Sequence, residues 1–204
     1  MKTLLFTAFA VSMLMTGSAP AQETKKLDPA ALKSLDSAPA TEAPKVPPKF
    51  VAKGAPRETK REYLTKSVGG VSKAARVITM STGDKIEAPV VDIPLLFNKN
   101  EATLKDAQSR DNLNILAAKI KQLEASGATF CIEGHASAEG DGAFNEKLSQ
   151  ARATAIAAQL RACGVSPSTI TGATGFGSRH ASQPASASES LLAQDRRVLI
   201  VREK

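Results

Sequence analysis

Thr129-Phe130-Cys131-Ile132-Glu133-Gly134-His135-Ala136-Ser137-Ala138-Glu139-Gly140 runs, after Asp141-Gly142-Ala143, into Phe144-Asn145-Glu146-Lys147-Leu148-Ser149-Gln150-Ala151-Arg152-Ala153. Thr129 to Glu133 is a short, mostly apolar run closed by Gly134, which predicts a strand. Phe144 to Cys163 predicts a helix, stopped by Gly164 and then Pro167. Upstream, Leu113, Leu116, Ala117, Ile120 and Leu123 recur at helical spacing and end at Gly127. Before that helix, Val91, Ile93, Leu95 and Phe97 alternate with Asp92 and Pro94, a strand whose proline marks an edge or a bulge. Arg76 to Ser81 and Lys85 to Glu87, joined by Thr82-Gly83-Asp84, predict a hairpin at the domain edge. Downstream, Thr169 to Thr174 is another strand, and a Ser/Ala-rich loop runs to about Ser190. Val198 to Val201 is a continuous apolar strand, buried on both faces. The order β-α-β-α-β-loop-β implies one sheet covered by helices with right-handed crossovers.

In the helix after Gly134, Leu148, Ala151, Ala155, Ile156 and Cys163 read as one face, with Arg152 in its middle. An arginine there needs an anion, or must lie along the rim with its head in water. It stands near the helix N-terminus, just after the loop that follows a strand, where open α/β sheets place ligands.

Charge divides the chain. Of 27 basic and 20 acidic residues, Gln22 to Arg76 holds 12 and 6, and Val77 to Lys204 is neutral overall. The basic part also carries six of the eleven prolines, and its apolar residues show no sustained period. Such a segment buries too little surface to offset its ordering entropy. Residues 22–75 are therefore expected to be a basic flexible linker, spanning roughly 40 Å as a coil. Its cations either keep the linker soluble or would be drawn to an anionic envelope surface or to outer-membrane proteins. With only Phe50 and Tyr63 for stacking, it offers little to nucleic acid. Residues 1–21 read as a Sec-type signal peptide: Met1-Lys2, an uncharged apolar stretch, and an Ala-x-Ala site at Ala19-Pro20-Ala21. The mature chain is then exported, to the periplasm, the outer membrane or the cell wall. In that compartment Cys131 and Cys163 can form one bridge or remain two buried thiols.

Competing chemistries fit poorly. A serine hydrolase needs Gly-x-Ser-x-Gly, and Ser137 sits in Gly-x-x-Ser-x-x-Gly. Cys131, His135, Cys163 and His180 form a zinc set only if the chain turns sharply, since residues four apart on a strand are about 13 Å apart. Gly172-x-x-Gly175-x-Gly177 reverses the dinucleotide fingerprint. Glu133 and Glu139 have nothing that sets their separation for glycoside cleavage. The expectation is a binding protein without a cofactor or metal, not an enzyme.

Gly134-His135-Ala136-Ser137-x-x-Gly140, Asn145-x-x-Leu148-Ser149-x-x-Arg152-Ala153, Gly164-Val165, Gly175-Phe176-Gly177 and Arg196-Arg197-Val198 together resemble the OmpA C-terminal-like domain family. The resemblance covers about Ile93 to Val201. It implies an α/β fold, a β-α-β-α-β-β mixed sheet covered by helices, over residues 76–204, behind a disordered Pro/Lys-rich tether. It also implies a periplasmic domain that holds the peptide stem of peptidoglycan non-covalently.

In that family a loop aspartate and a helix arginine grip the zwitterionic end of diaminopimelate. Arg152 matches the arginine; Asn145, Leu148 and Ser149 match the helix motif, and Arg196-Arg197 the terminal basic pair. Gly134 and His135 would support the loop. At the aspartate position stands Ser137, with no charge; Glu139 or Asp141 would have to supply it from another angle. Asp195 replaces the family's usual asparagine. The family topology also places Cys163 near the start of the strand carrying Cys131, which implies a Cys131–Cys163 bridge. The resemblance thus implies wall anchoring. The alternative, from Ser137, is a domain that has lost muropeptide binding and serves as a protein-interaction module.

Overall fold

The computed structural model describes residues 23–42, 58–68 and 71–204. The expected signal peptide and residues 43–57 lie outside them. A short 3-10 turn, Ala31–Asp36, precedes β1 (Ala40–Glu42), β2 (Glu58–Val68), β3 (Val71–Met80) and β4 (Lys85–Ile93). Then follow α1 (Ala107–Glu124), β5 (Phe130–Gly134), α2 (Gly142–Ala162), β6 (Ile170–Gly175), α3 (Glu189–Asp195) and β7 (Val198–Arg202). One sheet runs β2-β3-β4-β7-β5-β6, with β1 paired to β4. β5 and β6 are parallel, and the remaining pairs are antiparallel.

The apolar run of β7 is buried throughout because the strand is central. Val198 and Ile200 enter the core under the helices, while Leu199 and Val201 enter a smaller cluster on the opposite face. α1 begins at Asp106, whose carboxylate accepts from Ser109 N at 2.8 Å, and buries Leu113, Leu116, Ala117 and Ile120 as its spacing requires. The β3–β4 hairpin turns at Thr82-Gly83 as expected. β4 tolerates Pro89 because its outer side is paired by β1 up to Glu87 and by β7 only from Val90. The missing N–H falls in the gap. Pro94 lies just past the strand end rather than within it.

Four expectations are corrected. Residues 23–42 and 58–68 are not a flexible linker. Leu27, Leu32 and Leu35, 2%, 4% and 0% exposed, complete the core under the helices, and β2 extends the sheet as an eleven-residue strand. These leucines carry no period of their own; Asn112 fixes them, accepting from Leu27 N at 2.9 Å and donating to Lys25 O and Pro94 O at 2.8 Å.

The Cys131–Cys163 bridge does not form; both thiols are free. Strand alternation puts Phe130 and Ile132 under the helices and Cys131 on the other face, whereas Cys163, at the end of α2, packs on the helix side. The buried stripe of α2 is Asn145, Ser149, Ala153, Ile156, Ala157 and Leu160, one position off the expected face; Ala151 is exposed and Arg152 flanks the stripe. The loop before β7 contains α3, whose polar seven residues buried only Leu192 and Asp195 and so gave no periodic signal.

Candidate binding cleft

Two glycines bring α2 close to the strand ends that carry the loops. A Cβ on Gly134 would lie 2.2 Å from Ser149 O, and one on Gly175 would lie 2.1 Å from Gln150 N. Helix backbone thus rests directly on β5 and β6. Gln150 exploits the contact, accepting from Gly175 N at 2.8 Å and donating to Ala173 O at 2.9 Å. Ser149 Oγ accepts from Gly177 N at 2.9 Å.

The loop after β5 is fixed at both ends. His135 N donates to Arg197 O and Ala136 N to Gly177 O. At the far end Asn145 Nδ2 donates to Ser137 O at 3.3 Å and Glu139 O at 2.7 Å, and Asp141 caps α2 by accepting from Phe144 N at 2.7 Å.

This loop, the segment after β4, the start of α2 and the end of α3 enclose a cleft of about 890 Å³. Ser137, Glu139, Asn145, Arg152 and Arg196, expected from sequence, all line it. Ser137 is buried and Glu139 exposed at the rim. Arg152 is half-buried, with its guanidinium 4.7 Å from the Phe97 ring centroid and Nε donating to Glu101 O at 3.0 Å. Burial, and then the neighbouring Arg196 charge, push its pKa below the ordinary value. An arginine keeps its charge regardless, so the arrangement favours an incoming anion. Arg196 itself pairs with Glu189.

Two expected residues take other roles. Arg197 does not line the cleft; it donates to Gln194 O at 3.2 Å and lies 3.5 Å from Asp195 Oδ1. Asp195 is buried and receives Ser182 N, Ser182 Oγ and Gln183 N at 2.6–2.9 Å. Burial works against its charge, but those bonds together hold its pKa below the usual range.

His135 supports the loop by ring packing rather than by hydrogen bonds. Among the described residues neither ring nitrogen has a hydrogen-bond partner, Glu133 Oε2 lying 3.9 Å from Nε2, and the ring stacks on Phe176 at 5.5 Å and meets Tyr63 edge-on at 5.2 Å. Burial first, then Arg197, His180 and Arg61, push its pKa down to about 3, so it is neutral.

Behind the loop, on the other sheet face, Glu133 receives Arg61, Tyr63 Oη at 2.7 Å and Arg76 at 2.8 Å. β2 is four strand positions from β5. A flat sheet would separate them by roughly 19 Å, so the hairpin must coil back over the face.

The sequence reading missed Leu95, Phe97, Lys99, Lys105, Phe144 and Glu189 in the cleft. Of these Leu95 and Phe97 stood in the noticed strand pattern and Phe144 at the start of a predicted helix, none of them as cleft wall.

No curated protein sequence matches the chain. Among solved structures it is similar to the peptidoglycan-associated lipoprotein of Burkholderia pseudomallei, at 24% identity over 53% of this chain and 87% of that one, TM-score 0.44. It is also similar to the periplasmic domain of Helicobacter pylori MotB, at 17% over 57% and 83%, TM-score 0.50. A MotB-like protein of Desulfovibrio vulgaris matches at 20% over 69% and 78%, TM-score 0.47. The OmpA family matches residues 96–196, which span the cleft from Leu96 to Arg196. Residues 96–196 are thus a domain of the OmpA family.

Proposed function

We propose that the chain binds peptidoglycan non-covalently through this cleft and thereby anchors to the cell wall. The observation that carries the reading is Arg152: a half-buried cation in the cleft of an OmpA-family domain, with a carbonyl and an aromatic ring as its contacts. A guanidinium pairs with a carboxylate bidentately, and the stem peptide offers carboxylates at its diaminopimelate residue. Phe97, Leu95, Leu148 and Phe144 supply apolar walls for its methylene chain. Asn145 holds the loop through its Nδ2 and also lines the cleft, within reach of a ligand. Residues 43–57 carry Lys45, Lys49, Lys53 and Arg57 and no acidic residue, a composition suited to an anionic envelope surface.

Co-sedimentation of the protein with purified diaminopimelate-type sacculi tests the reading. Wild type should pellet with sacculi, and Arg152→Ala should bind about 10- to 150-fold more weakly, the worth of one charge-assisted contact. The uncharged Ser137 favours a second reading, a protein-interaction module. Folded wild type that stays in the supernatant would overturn the first reading and favour the second.

A further inference from the structure

The cleft carries more cations than free carboxylates. Lys99, Lys105, Arg152 and Arg196 line it, against Glu139, Asp141 and Glu189. Two of these carboxylates are engaged, Asp141 in capping α2 and Glu189 with Arg196, and Glu139 lies exposed at the rim. At the base of the loop the side chain offered is Ser137, 4% exposed, flanked by the apolar Ala136.

A stem peptide brings carboxylates and, at its diamino acid, one of two nitrogen groups. In an uncross-linked stem it is a free ammonium; in a cross-linked stem the same nitrogen is acylated and forms a neutral secondary amide. A carboxylate finds Arg152. With Arg196 paired to Glu189, an ammonium at the loop base would enter beside Lys99, Lys105 and Arg152 and meet the Ser137 hydroxyl there, while the remaining carboxylates, Glu139 and Asp141, are exposed to water. An amide N–H asks for one acceptor, which the Ser137 hydroxyl provides.

Resting on the peptidoglycan reading above, we propose that the cleft selects the acylated, cross-linked form of the stem peptide, with Ser137 as the specificity-determining residue. The protein would then mark mature, cross-linked wall rather than newly inserted strands.

The test is calorimetric titration of the full chain with two diaminopimelate muropeptides that differ only in whether the side-chain amine is free or N-acetylated. The acetylated peptide should bind at least fivefold more tightly in 50 mM salt, and Ser137→Asp should reverse the order. Should Ser137→Asp fail to fold, salt provides the second measure on wild type. At 500 mM the preference should shrink, because screening relieves the charge repulsion. Equal affinities, tighter binding of the free amine, or a preference indifferent to salt would overturn the proposal and leave wall anchoring intact. Binding of neither peptide would overturn the anchoring reading and this proposal with it.

Discussion

Glu133 gathers two arginines and a tyrosine from the N-terminal hairpin onto one carboxylate whose side chain is 2% exposed. Removing its charge strands Arg61 and Arg76 in a site built around it. Glu133→Gln should cost about 3–5 kcal/mol of stability, read by urea denaturation, because a broken buried pair leaves uncompensated charge. One residue further on, His135 predicts a pH dependence with a definite sign. Its native pKa of about 3 lies below the ordinary 6.5, so between those values the unfolded chain binds a proton that the native chain does not. Stability should therefore fall as pH drops from 6.5 toward 3, by up to about 1.4 kcal/mol per unit from this group. The half-buried His180, also depressed, adds to the same slope. Comparing wild type with His135→Phe between pH 6.5 and 4.5 isolates the His135 share, because Asp92, raised by burial to about 6, contributes to both proteins; identical slopes would refute it. At this scale the sequence showed Arg152 and Asn145 through a helical pattern and a family motif. It hid Phe97 and Glu101, which meet Arg152 only because the fold brings residues about fifty positions away against the helix.

Elements with a local apolar rhythm were legible, and elements held by distant polar partners were not. α1 repeats every three to four residues and β7 is apolar throughout, so each declares itself. β2 reads Glu-Thr-Lys-Arg-Glu-Tyr-Leu-Thr-Lys, a polar strand whose inward side chains are satisfied by a carboxylate about seventy residues later. No window of sequence contains that partner, so low apolarity was read as linker. For α2 the length was legible but the face was shifted by one, because its closest contact with the sheet is made by backbone at Gly134 and Gly175 rather than by large side chains. That contact makes a sharp prediction. Gly134→Ala would drive a Cβ into the Ser149 carbonyl, and lifting the helix should cost about 1–3 kcal/mol or more. Thermal unfolding measures the cost, and a Tm within 2 °C of wild type would show that α2 adjusts freely.

For the whole molecule, a two-faced sheet explains why the free thiols stay apart. Cys131 belongs to the face with Arg76 and Glu133, and burial pushes its thiol pKa up to about 12; Cys163 lies on the helix side against Asn114. The same division gives the domain two supports for one cleft: α2 from the front, and the β2–β3 hairpin from behind through Glu133 and His135. Domain class and cleft position were readable because the family motifs sit at strand and helix ends. The domain's true extent was not, because Leu27, Leu32 and Leu35 acquire meaning only against α1. Asn112 is where that N-terminal segment is fastened, and the same side chain also holds Pro94 O, one residue before the cleft wall begins at Leu95. If residues upstream are tethered while the cleft grips the wall, tension along the chain passes through Asn112. On the proposed anchoring reading, such a load would reach the segment where the cleft wall begins.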